Sequence, residues 1–278
     1  MITDLELERI AVSVRKMTLE MIYNASGGHT GGSLSAADIL VVLYHSVMNI
    51  NPAAISNEDR DRFILSKGHS VESYYAVLAS KGFFDKTILP TYGKFNSILA
   101  GHPTKKVPGI ELNSGALGHG LSVGAGMALA AKRSGKSFYT YVLMGDGEQG
   151  EGSLMEAAAA AGHYHLDNLV GIIDRNGLQI SGPTELVCRV DDLAGKYAAC
   201  GWSVRFCNGH YIKELRERLL SAPFEKGKPS LLIAQTVKGK GVSFIENKPD
   251  WHHKVPSEEQ LDRAIKELDK QMEELINA

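Results

Sequence analysis

Short apolar runs alternate with helical patterns along most of this chain, and that alternation restricts the fold more than any other feature. "RFILS" (62–66), "FYTYVLM" (138–144), "NLVGIID" (168–174), "SVRF" (203–206) and "SLLIAQTV" (230–237) read as strands. Helices are expected over 70–82, closed by Gly82, then over 121–133, 151–164 and near 211–220. Two more precede the first strand. A stripe of Leu7, Ile10, Ala11, Val14, Met17 and Met21 marks one over residues 5–25. After the break "SGGHTGGS", Ser35 with Asp38 resembles a capping box opening a second, through about Val47. An amphiphilic tail predicts a last helix over 257–277. Strands that alternate with helices imply an α/β fold, a mostly parallel sheet with helices on both faces. Residues 83–112 hold no sustained period and contain Pro90, Pro103 and Pro108, so a long functional loop is expected. No repeat or linker divides the 278 residues, which read as a single domain.

Composition narrows the function. A formal charge of −2 offers no field for gathering nucleic acid or an anionic membrane. No apolar stretch reaches membrane-helix length, and "MITDLELERI" lacks the basic and apolar regions of a signal peptide. Cys188, Cys200 and Cys207 are too few and too irregular for a disulfide framework or a zinc site. A cytoplasmic protein is expected. His163 and His165 have metal-like spacing, but a helix end accounts for them because no third ligand lies close.

"YVLMGDGEQGEG" (141–152) runs an apolar strand into Asp146, set between Gly145 and Gly147. Ligands in parallel sheets lie beyond the carboxyl ends of strands, where both Asp146 and Asn176 fall. A carboxylate, an amide oxygen and a following backbone carbonyl suit Mg²⁺ or Ca²⁺, and the glycines with the next helix N-terminus suit a diphosphate.

"GDGEQGEGSLMEAAAAAGHYHLDNLVGIIDRN" resembles the thiamine diphosphate motif of the transketolase family. "SGGHTGGSLSAADILVVLY", "NINP", "RDRFILSKGH", "AGHP", "SGALGHGLSVGAGMALA", "NGLQISG" and "WHHK" follow in that family's order, over nearly the whole chain. The resemblance implies that Asp146, Asn176 and the Leu178 carbonyl hold the divalent ion. It sets Gly147, His69 and Lys238 against the diphosphate, and Gly115 and Leu117 under the aminopyrimidine and the cofactor's bend. His29, His102 and His252 are then expected to face the substrate carbonyl and hydroxyls. Glu151 is expected near an interface that couples paired sites, or else is a plain first-turn carboxylate.

The family's pyrimidine-binding and C-terminal domains find no counterpart, which implies the N-terminal subunit of a split transketolase. A partner polypeptide in a two-plus-two assembly would supply those domains. The implied activity moves a two-carbon ketol unit between sugar phosphates. A modified sugar, a deoxyxylulose-phosphate-type synthesis and a non-catalytic cofactor-binding subunit stay open as alternatives. Keto-acid dehydrogenase alpha subunits share the "GDG…N" site, but "SKGH" and "WHHK" fit transketolases better. His253 stands where the family commonly has glycine, and His119 where it often has glutamine; both bear on substrate choice.

Overall fold

The computed structural model describes residues 2–277. Helices α1 (Asp4–Ala25) and α2 (Thr30–Val42) lead to strand β1 (Arg62–Leu65) and helix α3 (Val71–Lys81). Helix α4 (Gly120–Arg133), β2 (Thr140–Gly145), α5 (Gly152–His163) and β3 (Leu169–Arg175) follow. The chain continues through α6 (Thr184–Val187), α7 (Leu193–Ala199), β4 (Ser203–Asn208), α8 (Ile212–Leu220) and β5 (Ser230–Gln235), and ends in α9 (Glu258–Asn277). The strands form one sheet in the order β1-β2-β3-β5-β4, every pairing parallel.

Period-two alternation sends successive strand residues to opposite faces. Phe63 and Leu65, Tyr141 and Leu143, Val170 and Ile172, and Leu232 and Ala234 join one core with α1, α2, α3 and α8. Ile64, Val142 and Met144, Leu169 and Ile173, and Leu231 and Ile233 join the other, under α4, α5 and α7. Small residues let α4 lie close: a Cβ on Gly124 would sit 2.4 Å from Val142 Cγ2. A third cluster docks α9 on α1, with Ala264 and Leu268 against Val12, Leu19 and Trp251.

Local signals account for some helix ends. Thr3 and Glu6 form a reciprocal capping box for α1, and Gly82 closes α3 at φ 92°. The expected capping box at Ser35 and Asp38 is not one. Helix α2 already begins at Thr30, and both side chains lie buried in its interior. Ser35 Oγ donates to Asp174 Oδ2 at 2.7 Å, and Asp38 accepts from Arg15 of α1. Long-range partners have taken the groups that the local spacing seemed to assign. The loop of 83–112 has one short 3₁₀ helix, Lys86–Thr91, and α6 and α7 add two short helices that the sequence pattern does not announce. His163 ends α5, as expected.

Arg15 and Asp38 clamp α1 to α2 through two hydrogen bonds, at 3.1 and 2.5 Å. Burial opposes ionisation of Asp38, but Arg15 and His210 outweigh it and hold the carboxyl at about 2. A carboxyl depressed in the folded state adds stability above its ordinary 3.8, and that stability is lost as pH falls through about 2. Arg15→Met should lower unfolding stability by about 3 kcal/mol near neutrality, because it strips one partner from a buried pair. Urea titrations should show the gap to wild type closing as pH falls from about 4 to about 2. A gap that does not change with pH would show that Arg15 does not hold this carboxyl down.

Candidate active site

Gly145 of β2 pairs with Asp174 of β3, and Arg175 of β3 with Gln235 of β5. Asp146, Asn176 and Lys238 therefore leave three adjacent strands at one edge of the sheet. The order of the strands turns back between β3 and β5, which opens a crevice at their carboxyl ends. A cavity of about 280 Å³ lies there. Every residue expected from the sequence lines it except His102, His119, Glu151 and His253.

Asp146 is buried on the floor. Its Oδ1 accepts from Gly147 N at 2.7 Å, and its Oδ2 from Gly177 N at 2.6 Å and Arg175 Nη1 at 3.3 Å. Asn176 Oδ1 accepts from Leu178 N at 3.1 Å, and the Leu178 carbonyl lies 3.5 Å from Lys238 Nζ. Burial, with Asp174 close by, pushes the Asp146 carboxyl above its ordinary range, against the pull of Gly177, Arg175 and Gly147. The floor thus holds a desolvated carboxylate beside neutral oxygens, a donor set that fits Mg²⁺ or Ca²⁺. Among the described residues no three His, Cys, Asp or Glu side chains form a metal cluster, so an ion here would depend on the amide and carbonyl oxygens.

Imidazoles line the wall. His29 stands at the start of α2, its ring centroid 5.2 Å from His69, 5.5 Å from His252, 4.6 Å from His253 and 6.1 Å from His102. Burial above all, then neighbouring positive groups, lowers His29 to about 4 and His252 to about 3, and takes His69 well below its ordinary value. These three rings are neutral at pH 7, able to donate or accept hydrogen bonds without carrying charge. His29 Nδ1 is buried with no partner, a free hydrogen-bonding position. Lys238 Nζ lies 2.9 Å from His252 Nδ1, and burial with nearby Lys67 lowers the ammonium to about 8.

His102 is exposed beside the cavity, near enough that a Cβ on Gly115 would lie 3.4 Å from its ring. Glu151 is exposed in the N-cap position just before α5, outside the cavity.

Four buried residues organise the site and were not singled out from sequence. Lys67 of "SKGH" lines the cavity and pairs with Asp174 at 2.5 Å; Asp174 also accepts from Ser35 and Thr236. Glu148 accepts from Ser66, from Gly118 N at 2.8 Å and from Gly145 N at 2.9 Å, joining three of the quoted motifs. Glu72 accepts from His29 N at 3.0 Å, Ser33 Oγ at 2.6 Å and Tyr92 OH at 2.7 Å. Gly28, at φ 148°, lets Glu72 come this close, since a Cβ there would sit 2.5 Å from Glu72 Oε1. Lys67, Glu148 and Asp174 stand inside motifs already quoted; Glu72 gave only the weak signal of an acid within an apolar helix.

Residues 7–273 match the family model described as transketolase, thiamine diphosphate binding domain. One subunit of the apulose-4-phosphate transketolase of Phocaeicola vulgatus is 50% identical over 94% of this chain and 93% of its own length. The 6-deoxy-6-sulfo-D-fructose transketolase subunit SqwG of a Clostridium species is 38% identical over 96% of this chain and 98% of its own. Crystalline transketolase from Campylobacter jejuni superimposes with a TM-score of 0.89 at 30% identity, over 97% of this chain. The present chain spans only 43% of that longer protein. The chain thus belongs to the transketolase family and carries its thiamine diphosphate binding domain.

Proposed function

We propose that this chain is the N-terminal subunit of a two-polypeptide transketolase that uses thiamine diphosphate and a divalent ion, Mg²⁺ or Ca²⁺. It transfers a two-carbon ketol unit from a ketose phosphate to an aldose phosphate. One observation carries the reading: the oxygens of Asp146, Asn176 and Leu178 share a cavity with Lys238 and three neutral histidines. The chain acts as a single diphosphate-binding domain, in two copies with two of a partner that brings the pyrimidine-binding domain. Relatives that are themselves named as transketolase subunits, matched over nearly their full length, support the need for a partner. Such an enzyme works in the cytoplasm; among the described residues no helix is long and apolar enough to cross a membrane.

Asp146, Asn176 and the Leu178 carbonyl would hold the ion, and Lys238, His69 and the Gly147 backbone would meet the diphosphate. Gly115 and Leu117 would support the aminopyrimidine. Thiamine diphosphate, when bound, supplies a thiazolium carbon that accepts and releases the two-carbon unit. His29 and His252, neutral and close to the open side, would exchange hydrogen bonds with the sugar carbonyl and hydroxyls without drawing the diphosphate away from Lys238. His102 reaches the same substrate from outside the cavity, and Glu151 faces the second copy.

A modified sugar is the second reading. Relatives named for apulose 4-phosphate and 6-deoxy-6-sulfofructose favour it, as does the His253 ring packed 4.6 Å from His29 beside the substrate face.

The deciding assay supplies xylulose 5-phosphate, apulose 4-phosphate or 6-deoxy-6-sulfofructose as donor, with an aldose phosphate acceptor, thiamine diphosphate and Mg²⁺. It compares this chain alone with the chain plus its partner. Turnover is expected only in the pair, and the preferred donor separates the two readings. A pair that binds cofactor but turns over none of them would point to a non-catalytic role or to a synthase of the deoxyxylulose-phosphate kind. Asp146→Ala should weaken Mg²⁺-dependent cofactor binding at least about tenfold with an unchanged melting temperature, since its bonds reach only loop backbone and Arg175. Unchanged affinity in a fluorescence titration would remove the metal assignment. His102→Ala should leave cofactor affinity within about twofold and lower kcat/KM by about tenfold or more. Equal loss of both would contradict a substrate role.

A further inference from the structure

Beside the cavity, and outside everything assigned above, lies a buried chain of polar groups that ends one residue short of Lys238. His210 follows β4, and because β4 and β5 run parallel and end side by side, it meets the residues leaving β5. Its Nε2 accepts from Val237 N at 2.8 Å. An accepting Nε2 carries no hydrogen, so the ring proton is on Nδ1, which lies 2.6 Å from Asp38 Oδ2. Asp38 is held in turn by Arg15. The imidazole is therefore fixed in one tautomer and one orientation between α2 and the exit of β5.

We infer that His210 is a positioning residue for Lys238: oriented by Asp38, it sets the direction in which β5 delivers the lysine to the cavity. The other ties near Lys238 leave this role open. Gly239 N donates to Gly31 O at 2.9 Å and Asn247 N to Lys238 O at 2.9 Å, so the turn is secured after the lysine. Before it, Thr236 N donates to Arg175 O at 3.1 Å, which holds the strand, and Val237 O accepts from Lys240 N at 3.1 Å, which closes the turn around the lysine. The N–H of the peptide that joins Thr236 to Val237, the last before the lysine's own, is left to His210 Nε2. The inference rests on the proposed contact of Lys238 with the diphosphate.

Two substitutions separate positioning from general support. A glutamine amide oxygen can occupy the place of Nε2 and keep the bond to Val237 N. Asparagine reaches only the place of Nδ1 and keeps the bond to Asp38. Inorganic pyrophosphate with Mg²⁺ is a suitable probe, because the groups proposed to meet it all belong to this chain. By calorimetric titration of the full chain, His210→Asn should weaken pyrophosphate about fivefold, the effect of losing one hydrogen bond, while His210→Gln should stay within about twofold of wild type. Hydrogen exchange at the Val237 amide should quicken in His210→Asn and not in His210→Gln. Lys238→Ala serves as the reference and should lose more affinity than either. If Lys238→Ala loses affinity while the two His210 variants bind alike, or if His210→Gln is the weaker, the inference is overturned. If wild type takes up no pyrophosphate, or Lys238→Ala binds as wild type does, the contact between Lys238 and the diphosphate fails, and this inference goes with it.

Discussion

Asp174 is the carboxylate on which the site depends. It stands one residue before the end of β3, fully buried, and burial alone would push its carboxyl up, yet Lys67 at 2.5 Å and the Ser35 and Thr236 hydroxyls hold it below the ordinary range. Those partners come from α2, from the loop after β1 and from the exit of β5. Lys67 Nζ also donates to Gly32 O, at the start of α2. A buried ion pair gives little net stability, because desolvation offsets attraction, but once formed it is costly to break. Here its effect is geometric. Three chain segments must arrive together for the charge to be satisfied.

Charge is then graded across the cavity. The floor carries the desolvated carboxyl of Asp146 next to neutral oxygens; one side carries Lys67 and Lys238; the wall carries imidazoles that burial keeps uncharged. Such a gradient sorts a ligand by its parts, an anionic group toward the lysines and hydroxyls toward the rings. The backbone supports the division: Glu148 links the turn after β2 to the loops of "SKGH" and "SGALG", so floor and rim share one scaffold.

The sequence showed the sheet well because five apolar runs are hard to read otherwise, and parallel pairing then brings strand ends together whatever the details. Asp146 and Asn176 were legible for that reason, whereas the cavity's histidines, Lys238, Gly115 and Leu117 were legible only through the resemblance to the family. The start of α2 was not. "SGGHTGGS" looks like a break because glycine disfavours helix, and only burial on every side, with Glu72 fastening the turn, makes Thr30–Gly32 helical. Ser35 and Asp38 misled for a related reason: their spacing suggested a local bond, while their partners lie far along the chain. His210, which meets Asp38 from 172 residues away, carried no local signal at all. Helix α7 spans two turns, too few for a period to stand out.

Glu72 ties the His29 turn, and through Tyr92 it reaches the loop that bears His102, whose carbonyl accepts from Tyr75 OH at 3.2 Å. Tyr75 and Tyr92 pack edge to face with centroids 6.1 Å apart. The two histidine-bearing segments thus share one mooring under the surface. A change that moves one of them to fit a different sugar shifts the footing of the other. Adaptation to a new substrate would then proceed by paired substitutions across this buried carboxylate, and single changes in either loop would often fail even where the new side chain suits the ligand.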